Sequence, residues 1–174
     1  TYTLEQASHN IAITDINIGA GNLVITADSG NITVTAGATG IAGTTGNVTL
    51  TADGVGILTA AAPITLSGVG SVIILQADDD VIFTAAGDVT VGALSTAAFT
   101  ITANLDNSGG ANQGAITMVD GTIINAGAGT ITMSAAEDIA IGSVQTNNTS
   151  ATSISITTTL GAITDAGDTG GADI

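Results

Sequence analysis

The chain of 174 residues has no lysine, no arginine and no cysteine, and a single histidine stands against fifteen carboxylates. Without basic side chains it has nothing to clamp phosphates or displace their counterions, so we expect no nucleic-acid partner. The absence of cysteine excludes disulfides and thiol redox chemistry. No apolar run is long enough for a transmembrane helix, so we also expect no membrane insertion.

Aromatic residues are scarce too, namely Tyr2, Phe83 and Phe99. An irregular globular core uses large side chains to fill its volume. Here 44% of residues are hydrophobic and nearly all of these are aliphatic, which suits a narrow and regular interior. The chain starts at Thr1 rather than Met and shows no signal peptide, so we expect a processed product or a piece of a longer protein.

Short segments that alternate apolar and small polar residues recur along the chain, and they predict β-strands with one apolar face. Representative segments are 32–35, 48–51, 64–67, 99–102, 131–134 and 154–157. Predicted strands begin at residues 64, 72, 81, 89 and 99, and again at 116, 123, 131 and 139. Steps of about eight residues leave no room for a crossover helix, so α/β folds are excluded.

Longer echoes indicate an internal repeat. The stretch 85–96 returns at 135–146, fifty residues later, with an identical Asp and Gly and matching aliphatic positions. Weaker echoes link 30–36 with 46–52, 7–13 with 85–91, 99–105 with 154–160, and 114–117 with 161–164. Period drift would be absorbed in two loops, 106–113 and 147–151. A fixed period of this kind is typical of repeat architectures, here two coils of about 25 residues with three short strands each.

The sequence therefore predicts an all-β parallel β-solenoid, with the right-handed form favoured. Residues 1–174 would form one domain of about seven coils without evident caps. Inward aliphatic residues such as Val89 and Val91 would stack into core columns, whereas Asp88 and Gly92 would mark corners. Asn, Asp and Gly suit such corners because they tolerate positive φ or bond the local backbone.

Three sequence segments at these corners and strands resemble the repeats of a known protein family. They are Gly87-Asp88-Val89-Thr90-Val91-Gly92, the segment from Gly30 to Gly37, and the segment from Leu160 to Asp165. Together they resemble the repeats of filamentous-haemagglutinin-type adhesins, which are large secreted bacterial β-helix proteins. The resemblance covers nearly the whole chain and implies an extracellular, right-handed β-helix stalk at the cell surface.

The densest group of possible ligands is Asp78, Asp79 and Asp80. Carboxylates are the oxygen ligands that Ca²⁺ prefers, so these three are weak candidates for a calcium site. Solvated corner aspartates are the more ordinary interpretation, because no EF-hand or calcium-binding nonapeptide repeat accompanies them. His9 lacks a second ligand or a triad partner at suitable spacing. We find no catalytic or cofactor-binding motif and expect no enzyme activity.

The two ends of the chain look alike, which favours self-assembly. Residues 1–4 resemble 130–133, and 11–13 match 139–141, so Ile174 would fall opposite Gly127. The chain would thus span a near-integral number of coils. The first coil of one copy, with Tyr2 and Leu4, could then stack in register on the last coil of another, with Ile163 and Ile174. Heterologous contacts that do not close produce open filaments.

We therefore expect a structural subunit of an extracellular or cell-surface fibre, polymerised head-to-tail. The first alternative is a stalk segment of a large adhesin with cell-surface or matrix partners. The second is an ice-binding β-helix with outward threonine ladders. Thr-x-Thr pairs at 33/35, 49/51, 100/102 and 130/132 suggest such ladders, although their uneven spacing argues against a single flat face.

Overall fold

In a computed structural model that describes residues 1–37, 39–104 and 114–167, the chain winds as a parallel β-solenoid. The described residues contain strands, turns and bends, and no helix. The strands are β1 (Tyr2–Gln6), β2 (Ile11–Ile13), β3 (Asp15–Asn17), β4 (Leu23–Ala27), β5 (Ile32–Val34), β6 (Gly40–Gly43), β7 (Asn47–Ala52), β8 (Leu58–Ala60), β9 (Ile64–Leu66), β10 (Val72–Ala77), β11 (Val81–Phe83), β12 (Val89–Val91), β13 (Ala98–Ala103), β14 (Ile116–Met118), β15 (Ile123–Asn125), β16 (Thr130–Ala135), β17 (Ile139–Ile141), β18 (Ser143–Gln145), β19 (Ile154–Thr158) and β20 (Ile163–Asp165).

These strands form three parallel sheets, each of which takes every third strand. The first sheet has the order β1-β4-β7-β10-β13-β16-β19 and the second has β2-β5-β8-β11-β14-β17-β20. The third sheet runs β3-β6-β9-β12-β15-β18. The described residues thus make six complete three-stranded turns and two strands of a seventh. The predicted solenoid with three strands per turn is confirmed, and its right-handedness stays a prediction.

Parallel pairing in register stacks like residues into inward columns. One column of the first sheet consists of Leu4, Ile25, Leu50, Leu75, Ile101, Met133 and Ile156. Its five middle members are at most 1% exposed. Aliphatic side chains suffice because each turn only has to fill the space between the turn before it and the turn after it. Val89 and Val91 also lie in the core, as predicted.

The fifty-residue echo does not measure the pitch of the solenoid, so that interpretation was wrong. Val89 lies in the third sheet and pairs with Ile64 and Ile124, whereas Ile139 lies in the second sheet and pairs with Ile116 and Ile163. The echoes 30–36/46–52 and 7–13/85–91 likewise join strands of different sheets. The reason is physical: all three sides of a turn need the same corner–apolar–polar–apolar pattern, so any side resembles any other.

Other echoes do connect positions that stack. Phe99 pairs with Ile131, which pairs with Ile154, so the segments that start at 99 and 154 lie two turns apart in one sheet. Ile116 and Ile163 are related in the same way through Ile139. The loop 106–113, predicted to absorb period drift, lies outside the described residues. Residues 147–151 do lie in the connection between β18 and β19.

Candidate functional site: end faces, corner ladders and threonine face

The outer strand of the first turn presents apolar side chains that would be core residues elsewhere. Tyr2 and Leu4 of β1 are 60% and 47% exposed, although they occupy inward columns of the first sheet. Following these columns through the sheet leads to Ile131 and Met133, both fully buried. The predicted likeness between residues 1–4 and 130–133 therefore reflects their positions, since both segments contribute to the same inward columns. We call the outer side of β1, β2 and β3 the N-terminal face.

The opposite end of the described stack exposes apolar side chains as well. Ile163 of β20 is 48% exposed and Leu160, in the corner before it, is 79% exposed. In the same column as Ile163, Ile139 and Ile116 are fully buried. We call the outer side of β19 and β20 the C-terminal face. Ile174, the fourth residue predicted for assembly, lies outside the described residues.

Asparagine and aspartate side chains at many of the corners tie one turn to the next. In every case a side-chain oxygen accepts a hydrogen bond from a backbone N–H of the following turn, at 2.7 to 3.0 Å. The acceptors are Asn10, Asp15, Asn22, Asn31, Asn47, Asp80, Asp88 and Asp138. This corner ladder satisfies backbone donors that the sheets leave unpaired. The sequence placed Asp88 at a corner but missed that such bonds join successive turns.

The three candidate calcium ligands lie at one corner between the first and second sheets. Asp78 is buried at 4% exposure, and Asp80 accepts from the backbone N–H groups of Gly114 and Ala115 at 3.2 and 2.8 Å. Within the described part of the chain, no three carboxylate or imidazole groups lie together as a metal site. Calcium binding at Asp78–Asp80 therefore stays a prediction.

Two aspartates have displaced pKa values with clear causes. Burial raises the pKa of Asp79, and the neighbouring negative charge of Asp80 raises it further, against a lowering hydrogen bond from Gly114. Hydrogen bonds from the hydroxyl and backbone N–H of Thr39 lower the pKa of Asp15. Asp79 thus resists ionisation, whereas the charged form of Asp15 is held by the turn that follows it.

Three of the predicted threonine pairs, 49/51, 100/102 and 130/132, lie on the outward face of the first sheet although their spacing along the chain is uneven. Thr49 and Thr51 point outward from β7, and Thr100 and Thr102 occupy the same two columns two strands further on. The spacing along the chain is uneven because the corners differ in length. The two outward columns of β1, β4, β7, β10, β13, β16 and β19 hold Thr3/Glu5, Val24/Thr26, Thr49/Thr51, Ile74/Gln76, Thr100/Thr102, Thr132/Ser134 and Ser155/Thr157.

This threonine face is interrupted. Val24, Ile74 and Gln76 break the hydroxyl columns at the second and fourth turns. Thr33, counted among the pairs in the sequence, lies in β5 on the second sheet and does not belong to this face. The face is therefore a discontinuous array of hydroxyls about 4.8 Å apart from turn to turn.

His9 lies on the exposed corner between β1 and β2, with its Nδ1 3.2 Å from Gln6 Nε2 and 3.3 Å from Ser8 Oγ. The described residues also contain no helix long and apolar enough to cross a membrane. Comparison with protein-family models, with curated proteins and with solved structures finds no match to this chain. The β-helix expected from the adhesin resemblance is present, and membership of that family stays a prediction.

Proposed function

We propose that this chain is a non-catalytic structural protein of an extracellular or cell-surface fibre, extended by end-to-end stacking of solenoids. One observation carries the proposal: apolar columns of a continuous core reach both end faces with exposed members in compatible register. Tyr2 and Leu4 stand at one face and Ile163 at the other. Exposed apolar surface next to unpaired strand edges is the arrangement that other strands cover.

The register of the stack defines how two copies would meet. β19 of one copy would pair with β1 of the next, which places Ile154 against Tyr2 and Ile156 against Leu4. β20 would pair with β2, which places Ile163 against Ile11. Each junction would then repeat the parallel pairing found between successive turns, with strands about 4.8 Å apart.

The charge of the chain suits an axial rather than a lateral assembly. Its formal net charge is −15, without a lysine or arginine to bridge neighbouring rods. Like-charged flanks repel one another and keep filaments apart, whereas the apolar columns at the ends still gain by burial. We therefore expect thin, unbundled filaments, with cell-surface or matrix molecules as their outside partners.

Electron microscopy and sedimentation velocity over a range of concentrations test this proposal. The variant Leu4→Glu places a charge in the apolar column and should abolish filaments, because a charge is costly to bury. The control Thr3→Glu adds the same charge to the same strand at an outward position and should leave filaments intact. Dispersed short rods at every concentration, at neutral and at acidic pH and with or without calcium, would contradict the proposal.

A stalk segment of a longer adhesin is the alternative in which the next turn comes from the same polypeptide. The same columns and corner ladder would then continue within one chain. The complete open reading frame separates the two, since a stalk would show further turns on either side of these residues.

The threonine face supports ice binding as a second candidate function. Where its hydroxyl columns are uninterrupted, this face could order water at its surface. Thermal hysteresis of the purified protein tests this directly. Thr100→Tyr should abolish any activity by placing a bulky ring in the array, whereas Thr59→Tyr on the second sheet should not. Absence of thermal hysteresis in the unmodified protein would exclude the function.

A further inference from the structure

A charged residue completes an apolar column at the C-terminal face. Asp165 ends β20 and pairs with Ile141, a buried residue of β17. Within the second sheet this column consists of Ile13, Val34, Ala60, Phe83, Met118, Ile141 and Asp165. Every member except Asp165 is apolar and at most 4% exposed. The carboxylate thus occupies a position that belongs to the core in each of the six preceding turns.

Asp165 is tolerated there because its side chain is in contact with water. Its side chain is exposed, and its Oδ1 accepts a hydrogen bond from the backbone N–H of Gly167 at 2.9 Å. If a second copy docks in register, β20 pairs with β2 of that copy, and Asp165 comes to lie between Ile141 and the second copy's Ile13. Docking would therefore remove this carboxylate from water.

No lysine or arginine side chain is present to balance that charge, and the α-amino group of Thr1 of the docking copy lies at the start of β1, in the neighbouring sheet. His9 of the docking copy lies on the corner before β2, four residues ahead of Ile13. The other ionisable side chains beside β20 and beside β2 are acidic. They are Asp120, Glu137 and Asp138 beside β20, and Glu5 and Asp15 beside β2 of the docking copy, while Asp168 lies outside the described residues. A buried carboxylate without a cation partner is far costlier than the neutral acid.

We propose that docking of a second copy on the C-terminal face is coupled to protonation of Asp165, so that acidification switches end-to-end assembly on. The inference rests on the proposed stacking and adds its regulation. Since each junction takes up one proton at this position, its association constant should rise by up to about tenfold per pH unit as the solution is acidified.

The test compares the unmodified chain with Asp165→Asn and with Asp28→Asn, which removes one charge from an exposed corner. Sedimentation velocity at neutral pH and near pH 4, where carboxyl groups titrate, measures the association constant of each. At neutral pH, Asp165→Asn should assemble at least about tenfold more tightly than Asp28→Asn. Uptake of one proton changes an association constant about tenfold for each pH unit, and Asp165→Asn does not need that proton. Its association should also respond less to acidification.

Equal behaviour of Asp165→Asn and Asp28→Asn at both pH values would overturn the inference, because net charge alone would then explain any pH effect. Asp165→Ile separates this failure from failure of the proposed stacking, since it restores an apolar column. If Asp165→Ile forms filaments at neutral pH but the Asn variant matches its control, stacking holds and the switch is wrong. If no variant associates at either pH, the stacking itself is wrong.

Discussion

The middle turns and the end turns of the solenoid have the same sequence pattern but different surfaces. In β7, the alternate residues Val48, Leu50 and Ala52 are fully buried. In β19, the same alternation leaves Ile154 and Ile156 only partly buried. Alternation therefore decides which side chains point inward. In the first sheet, full burial also requires a neighbouring turn on both sides, whereas the inward residues of β2 are buried although they lie in the first turn. The end faces are core surfaces without a second neighbour, and this difference is what the proposed assembly would remove.

Truncating one column residue in the middle of the stack and one at its end should give the largest difference in stability between the two regions. Leu75→Ala removes a fully buried side chain and should lower the free energy of unfolding by about 2 to 5 kcal/mol. Leu4→Ala in the same column should cost less than about 1 kcal/mol, because this side chain is 47% exposed. Urea unfolding of dilute protein measures both. Equal losses would mean that the first turn is already packed like the middle.

Two corner glycines allow two reasons for glycine to be compared, namely close contact with the neighbouring turn and a positive φ. A Cβ at Gly87 would lie 2.0 Å from the carbonyl oxygen of Ala60 in the turn before, so Gly87→Ala must push two turns apart. We expect a loss of about 1 to 3 kcal/mol or more. Gly70 has a φ of +73° and open space around it, so Gly70→Ala should cost only about 1 kcal/mol. Urea unfolding measures both, and a harmless Gly87→Ala would show that the turns are loosely stacked.

The corner ladder should also contribute more in the middle than at the end. Asn47 accepts from the partly buried N–H of Val72 at 3.0 Å, so Asn47→Ala leaves a donor unpaired and should cost about 1 to 2 kcal/mol. Asn47→Asp keeps the acceptor and should retain most of this stability. Asn10 makes the same bond to Asn31 at an exposed corner of the first turn, where water can replace it. Asn10→Ala should therefore cost less than Asn47→Ala in urea unfolding, and the reverse order would contradict this account.

The smallest expected effect concerns Asp79, near the middle of the stack. Its folded-state pKa is raised by burial and by Asp80, so at neutral pH ionised Asp79 opposes folding. This destabilisation disappears as the pH falls through the raised pKa toward the ordinary value, because Asp79 then becomes protonated. Asp79→Asn should therefore stabilise the protein at neutral pH by less than about 1 kcal/mol, with the gain disappearing in acid. Urea unfolding at both pH values measures it, with Asp28→Asn as control, and a gain that persists in acid would exclude this cause.

Much of the fold could be predicted from composition and local pattern. Alternation in segments such as 48–51 identifies the strands and their inward side, because successive side chains in a strand point to opposite faces. The register could not be predicted in the same way. The strands at Val89 and Ile139 have similar sequences and lie in different sheets, because three equivalent sides impose one pattern. The lengths of the corners decide which strands meet.

Some residues of the candidate site could likewise be predicted from the sequence, and others only from the structure. Tyr2, Leu4 and Ile163 were recognisable from the sequence because each copies a core position elsewhere in the chain. The outward threonine columns and the corner ladder needed the register, since each relates residues about one turn apart. Asp165 looked like one more acidic residue until its strand was placed above Ile141.

By itself, the sequence determined a regular β-solenoid with a thin aliphatic core and no cations. Short strands, frequent corner residues and the absence of large side chains leave few other ways to bury this much aliphatic surface. Only the tertiary structure decided which residues stack, because hydrogen bonds between turns select one register among several that the repeat allows. That register makes Leu4 an exposed core residue and places the carboxylate of Asp165 at the end of an apolar column.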